Sequence, residues 1–297
     1  MLPIDLPKPQ AKLRGRVSNV LEICAVARRS SLILIGALIA PVALILGCAP
    51  GPGTSTGRDS GPPADGGSSA IPTITVSGRV VDFESCFEGC DGVSDVVVAW
   101  AGAPEALRSE PSGADGSFVV AGVPSGFRSD LMAIPGAGQA TRFATTLNAM
   151  ALSRDDTADV FSLQVVVMPR DSSSIIAAFE DETDMRLDRD GGYIGQVVNI
   201  NASGGYDAAP GIDVAHAPNQ GTIRYLNVVP RLAPAEDPFQ PVAPGTATSI
   251  FGVFVLGGSG AIVDPVTFAP GTPAAPYGTI VTPLFPGVVS YGLHVAR

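Results

Sequence analysis

The 297-residue chain holds two histidines, His216 and His294, and four cysteines, Cys24, Cys48, Cys86 and Cys90. A hydrolytic zinc centre needs at least two histidines and one carboxylate around the metal, with one coordination position left for water. The two histidines lie far apart in the sequence and neither belongs to an H-x-x-E arrangement, so that chemistry is not expected. A Ser-His-Asp triad using His216 and Asp213 stays open on spacing, but no serine elbow at a strand-to-helix turn accompanies it. Both histidines fit better as strand side chains. Cys86 and Cys90, in "ESCFEGCDG", form a C-x3-C pair in a loop. In an oxidising compartment the expected state is a disulfide. Free thiols and a metal site are the alternatives, and the metal would need two further ligands. In the acidic run "EDETDMRLDRDGG", Asp188 and Asp190 resemble part of a calcium loop, but an EF-hand would need acids where Arg186 and Val197 stand. A solvated connector is the better reading, and no metal or cofactor is expected. Trp100 alternates with Val96 and Val98 and belongs to a core. Tyr193, Tyr206, Tyr225 and Tyr277 are the aromatics that could be exposed and stack on a sugar.

The elements that must carry these residues begin with an apolar run. Leu32 to Leu46, behind Arg28 and Arg29, is too short for the roughly 20 apolar residues that span a bilayer. Its length and flanks suit the hydrophobic region of a signal peptide. The segment "ILGC" at its end, Ile45 to Cys48, resembles the lipobox of bacterial lipoproteins. That resemblance implies a diacylglycerol on the Cys48 thiol, cleavage before it, and acylation of the new N-terminus. Two or more acyl chains give a stable anchor where one does not. Ala49 in the next position resembles sorting to the outer membrane. Residues 49 to 70 are Gly, Pro, Ser, Thr and Asp with almost no apolar residues, so they read as a flexible tether.

Charge excludes one class of partner. Both lysines precede Cys48, and residues 49 to 297 carry 12 arginines against 26 acids, a formal charge of −14. Phosphate backbones repel such a chain, so nucleic acid is not a partner.

The ordered part contains a repeat. "GRVVDF" (78–83) matches "GQVVNI" (195–200), and "VAWAGAP" (98–104) matches "VAHAP" (214–218). "GSFVV" (116–120) matches "GVFVL" (252–256), and "VFSLQVVV" (160–167) matches "VVSYGLHV" (288–295). Four blocks in one order mean two copies of one unit with loop insertions, each expected to be its own globule. This alignment puts His216 at the place of Trp100 and His294 at that of Val166. Each copy is rich in β-branched residues with period-two alternation and turn signals between runs, the pattern of a sandwich. Between the copies, Ile175, Ile176 and Phe179 follow serines at helical spacing and predict one short helix.

The order "VSGRVVD", "DGVSDVVVAWAG", "GADGSFVVAGVPSG" resembles the carboxypeptidase regulatory-like domain, a transthyretin-like (prealbumin-like) sandwich, over about 73–170. The second copy keeps the strands but has "TSIFGVF" where the first has "GADGSF". The resemblance implies a usually non-catalytic domain. The expected fold is all-β: two tandem prealbumin-like sandwiches joined by a short helix, after a disordered N-terminal tether. The expected division is a signal peptide at 1–47, a linker at 48–72, a sandwich at 73–170, a connector at 171–190 and a second sandwich at 191–297. The expected role is a non-catalytic, membrane-anchored envelope lipoprotein serving interaction or spacing, with an envelope protein or a glycan as partner. A carbohydrate- or peptidoglycan-binding lipoprotein is the alternative.

Overall fold

The computed structural model describes residues 72–296, apart from 103–104, 106, 126–128, 150–158, 204, 235, 242–245 and 259–264. The signal, Cys48 and the tether lie outside the described residues. The first copy contributes β1 (Thr73–Asp82), a 3-10 turn (Glu84–Phe87), β2 (Val96–Trp100), β3 (Ser117–Pro124), β4 (Leu131–Pro135), β5 (Phe143–Ala144), β6 (Thr146–Asn148) and β7 (Val160–Pro169). The connector forms α1 (Ile175–Thr183) and α2 (Leu187–Asp190). The second copy contributes β8 (Gly192–Ile200), β9 (Tyr206–Ala208), β10 (Val214–Ala217), β11 (Thr222–Tyr225), β12 (Val253–Gly257), β13 (Val266–Thr272), β14 (Ala275–Pro276), β15 (Ile280–Thr282) and β16 (Val289–Val295). The fold is all-β, as its alternating sequence requires.

The repeat is a repeat of topology. In the first copy β1 pairs antiparallel with β3 and parallel with β7. In the second, β8 pairs antiparallel with β12 and parallel with β16. Registers agree as well: Gly78 faces Phe118, and Gly195 faces Phe254. The last block of the sequence alignment shifts. His294 stands opposite Val197 as Val165 stands opposite Val80, so its counterpart is Val165 and not Val166. β7 also carries an extra residue, so no single offset aligns it with β16. Val76 pairs with Val160 but Gly78 with Leu163, and Ser162 takes a left-handed φ of 62°. A β-bulge accommodates one extra residue in this way.

Three sheets result among the described residues. The first has the order β3-β1-β7-β5. A second runs β11-β12-β8-β16-β6-β4-β2, with β9 added on β8. In the third, β13 holds β10, β14 and β15. The second sheet is the unexpected feature. The last strand, β16, lies parallel to β8 on one side and to β6 of the first copy on the other. The expected pair of separate globules is therefore joined by one continuous sheet. Parallel strands are normally covered on both faces, and β16 is correspondingly buried along most of its length.

Cores follow the sheets. Val76, Val80, Trp100, Phe118, Leu131 and Val165 belong to a core of the first copy. Tyr193, Val197, Phe254, Leu256 and Phe268 form one in the second. A third core mixes Val81, Phe83, Val166 and Met168 with Ile175, Ile176 and Phe179 of α1 and with Ile194, Val253, Val255 and Val289. The helix is where the serines and the apolar spacing predict it. Ser174 caps it by accepting from the Ala177 amide at 3.2 Å. Asn148 on β6 ties two sheets together: its amide donates to the Val166 carbonyl at 2.9 Å and accepts from the Val166 amide at 2.8 Å.

Candidate functional site

A charged cluster sits where the two copies meet. β1 ends in Asp82, and the following 3-10 turn begins with Glu84, so both carboxyls point off the end of the first sheet. Arg231, from the loop after β11, donates to Asp82 at 2.8 Å and lies 3.5 Å from Glu84. It also contacts Asp171 of the connector. Glu84 accepts from the Ile175 amide at the start of α1, at 2.6 Å. Burial pushes the Glu84 carboxyl up to about 8, against the opposing pull of the Ile175 amide and Arg231. Glu84 is therefore mostly protonated at neutral pH. Asp171 is held below the usual carboxylate range by Ser173 and Arg231, which outweigh its partial burial. This chemistry fastens elements together. Its members are remote in sequence; the only local signal was a pair of acids directly after an apolar strand.

Beside that cluster, Cys86 and Cys90 are disulfide-bonded, as their spacing suggested. The Gln164 amide lies 3.1 Å from the Cys90 sulfur. The loop they close carries Phe87, which meets Phe251 of the second copy edge-on at 5.5 Å. Phe83 packs on Tyr291 at 5.2 Å.

Asp213 and His216 line a cleft of about 530 Å³ with Arg224, Tyr225 and Gln240. They do not form a catalytic pair. Asp213 accepts from the Tyr225 hydroxyl at 2.9 Å and from the Val214 amide at 2.9 Å. His216 Nε2 faces the Gln220 carbonyl at 3.1 Å. His294 is buried in the second core, its Nε2 2.8 Å from the Tyr193 hydroxyl and its Nδ1 2.7 Å from the Gly278 carbonyl. Burial lowers its pKa to about 4, against the Gly278 hydrogen bond. Neutral His294 thus donates from Nδ1 and accepts from Tyr193. Both histidines are strand side chains, as expected.

The aromatic expectation needs correction. Tyr193, Tyr225 and Tyr277 are buried, and only Tyr206 is partly open. Each buried ring has an internal partner for its hydroxyl; Tyr277, for example, donates to Asn199 at 2.9 Å. A hydroxyl satisfied inside lets a tyrosine serve as a core residue. Trp100 is buried in the first core. Asp188 and Asp190 turn to Arg170 and Arg189, the latter pair bidentate at 2.7 Å. Among the described residues no group of three or more potential ligands could hold a metal, and no helix is long and apolar enough to cross a membrane.

No protein-family model matches the chain, and no curated protein matches it. Solved structures include two pilins. The shaft pilin SpaA from Lactobacillus rhamnosus GG is 11% identical, over 76% of this chain and 98% of that one, with a TM-score of 0.23. The minor pilin GBS52 from Streptococcus agalactiae is 9% identical, over 75% of this chain and 96% of that one, also at 0.23. Likeness at that level carries no functional argument.

Proposed function

We propose that this chain is a non-catalytic lipoprotein of the bacterial cell envelope, anchored by lipid on Cys48, whose joined sandwiches form a stiff spacer that presents an interaction surface at the end of the tether. The observation that supports spacing is the sheet that passes from one copy into the other through β16. Two copies joined by a linker alone would pivot; a shared sheet with a common core resists bending. The arginine clamp on Asp82, Glu84 and Asp171 adds polar fastening to the same junction. The lipobox resemblance at Ile45 to Cys48 supports the anchor, and Ala49 supports the outer membrane. The test is metabolic labelling of the full chain with a palmitate analogue in a diderm host. Wild type should take up label and partition into detergent. Cys48→Ser should remain an unlabelled precursor, and normal maturation of that variant would sink the lipoprotein reading.

A further inference from the structure

The outer face of the first sheet is covered at one end and open at the other. Val81, Val166 and Met168 on that face belong to the central core. Further along the same strands lies a groove of about 410 Å³, with Ser77, Arg79, Val119, Phe161 and Gln164 among its lining residues. Phe161 is 62% exposed and Val119 58%. The bulge at Ser162 sets Phe161 there. A non-glycine residue at positive φ costs free energy, and the fold does not need this one, because β8 and β16 pair without a break over the equivalent stretch.

The repeat shows what such a face is for. By register, Ser77, Ser117 and Val119 correspond to Ile194, Val253 and Val255. Those three residues are buried in the central core together with Ile175, Ile176 and Phe179 of α1. The helices lie close: a Cβ on Gly257 would meet the Phe179 ring at 2.5 Å, and one on Gly192 would meet Leu187 at 2.2 Å. Glu182 of α1 accepts from Arg224 on β11, at 2.8 Å. The second copy thus covers this face with a short helix, apolar on one side and acidic beyond. In the first copy the face carries Arg79, the one charged residue among the described residues that line the groove. Arg79 is fixed by donating to the Asp115 carbonyl at 2.9 Å and also acts electrostatically on the Asp115 carboxylate, but it forms no ion pair among the described residues. A cation at an apolar groove favours an occupant that brings a carboxylate, and the formal charge of −14 on residues 49 to 297 sets a net repulsion against a second copy of the chain.

We propose that the open end of this face, between Val119 and Phe161, docks a short amphipathic helix of a partner protein, apolar side inward and with a carboxylate on Arg79. This gives partner chemistry to the interaction role proposed above and rests on that reading only for the existence of a partner; lipid labelling and helix binding can fail separately. The probe is a fluorescein-labelled peptide of residues 173–185, whose apolar and acidic residues are those of α1, titrated against the full chain by anisotropy. Saturable binding is expected, weakened at least tenfold by Phe161→Ser and by Val119→Glu, both at exposed positions where the melting temperature should not move. Replacing the glutamates of the peptide by glutamine should weaken binding to wild type but not to Arg79→Gln. Absence of binding at 1 mM peptide, taken as about the weakest specific affinity worth the name, overturns the proposal. So does equal binding by Phe161→Ser, by a scrambled peptide, or complete displacement by oleate with no peptide sequence preference. A concentration-dependent dimer lost in Phe161→Ser would assign the face to a second copy and overturn it as well.

Discussion

Two buried titratable residues pull in opposite directions with pH. Glu84 titrates near 8 in the folded chain, against an ordinary value of 4.5. Its stabilising neutral form is fully present below pH 4.5, and that contribution is lost as pH rises through 8. His294 titrates near 4, against 6.5. Its contribution is present above pH 6.5 and is lost as pH falls through 4. Stability should therefore form a plateau between about 4.5 and 6.5, where the two slopes oppose. Thermal melts of Glu84→Gln should lose the decline between pH 6.5 and 9 while keeping the acid limb. An alkaline decline unchanged in that variant would show that another group causes it. Neither residue announced its environment in sequence. Glu84 is one of many acids, and its burial depends on Ile175 and Arg231, which arrive from distant segments.

At the scale of elements, α1 was legible because its determinants are local: serines before it, then Ile175, Ile176 and Phe179 at helical spacing. Ser174→Ala removes the cap at the Ala177 amide and should cost about 1 kcal/mol. Denaturant titration measures this, and an unchanged midpoint would mean that tertiary packing alone holds the helix start. Arg231→Met tests the clamp between elements. It leaves Asp82 and Asp171 without their counter-charge in a partly buried place. Breaking a fully buried pair costs roughly 3–5 kcal/mol, so this half-open one should cost about 2 kcal/mol after allowance for solvent screening. The bulge of β7 was not legible, since one additional residue in an alternating run still reads as a strand. It appeared only when β1 supplied the register.

The whole molecule should unfold as one unit. β16 pairs with both β8 and β6, and the central core draws on both copies and the connector. Calorimetry should give a single transition with calorimetric and van't Hoff enthalpies equal. Two resolved transitions, each abolished by a core mutation in one copy, would show that the shared sheet does not couple the halves. The expectation of independent globules failed because a repeat of about 120 residues repeats local pairing, and nothing in it states where the last strand docks.

The sequence by itself determined the strands, their recurrence, the short helix, the cysteine pair and the sign of the surface charge. These depend on alternation, capping, spacing and composition, which are properties of neighbouring residues. Tertiary structure decided the rest. It placed β16 between the two copies, turned three tyrosines inward, gave Glu84 and His294 their shifted titrations, and covered one copy's outer sheet face while leaving part of the other's open. Each of these follows from which remote segments meet, and burial and long-range pairing are set only when the chain has closed on itself.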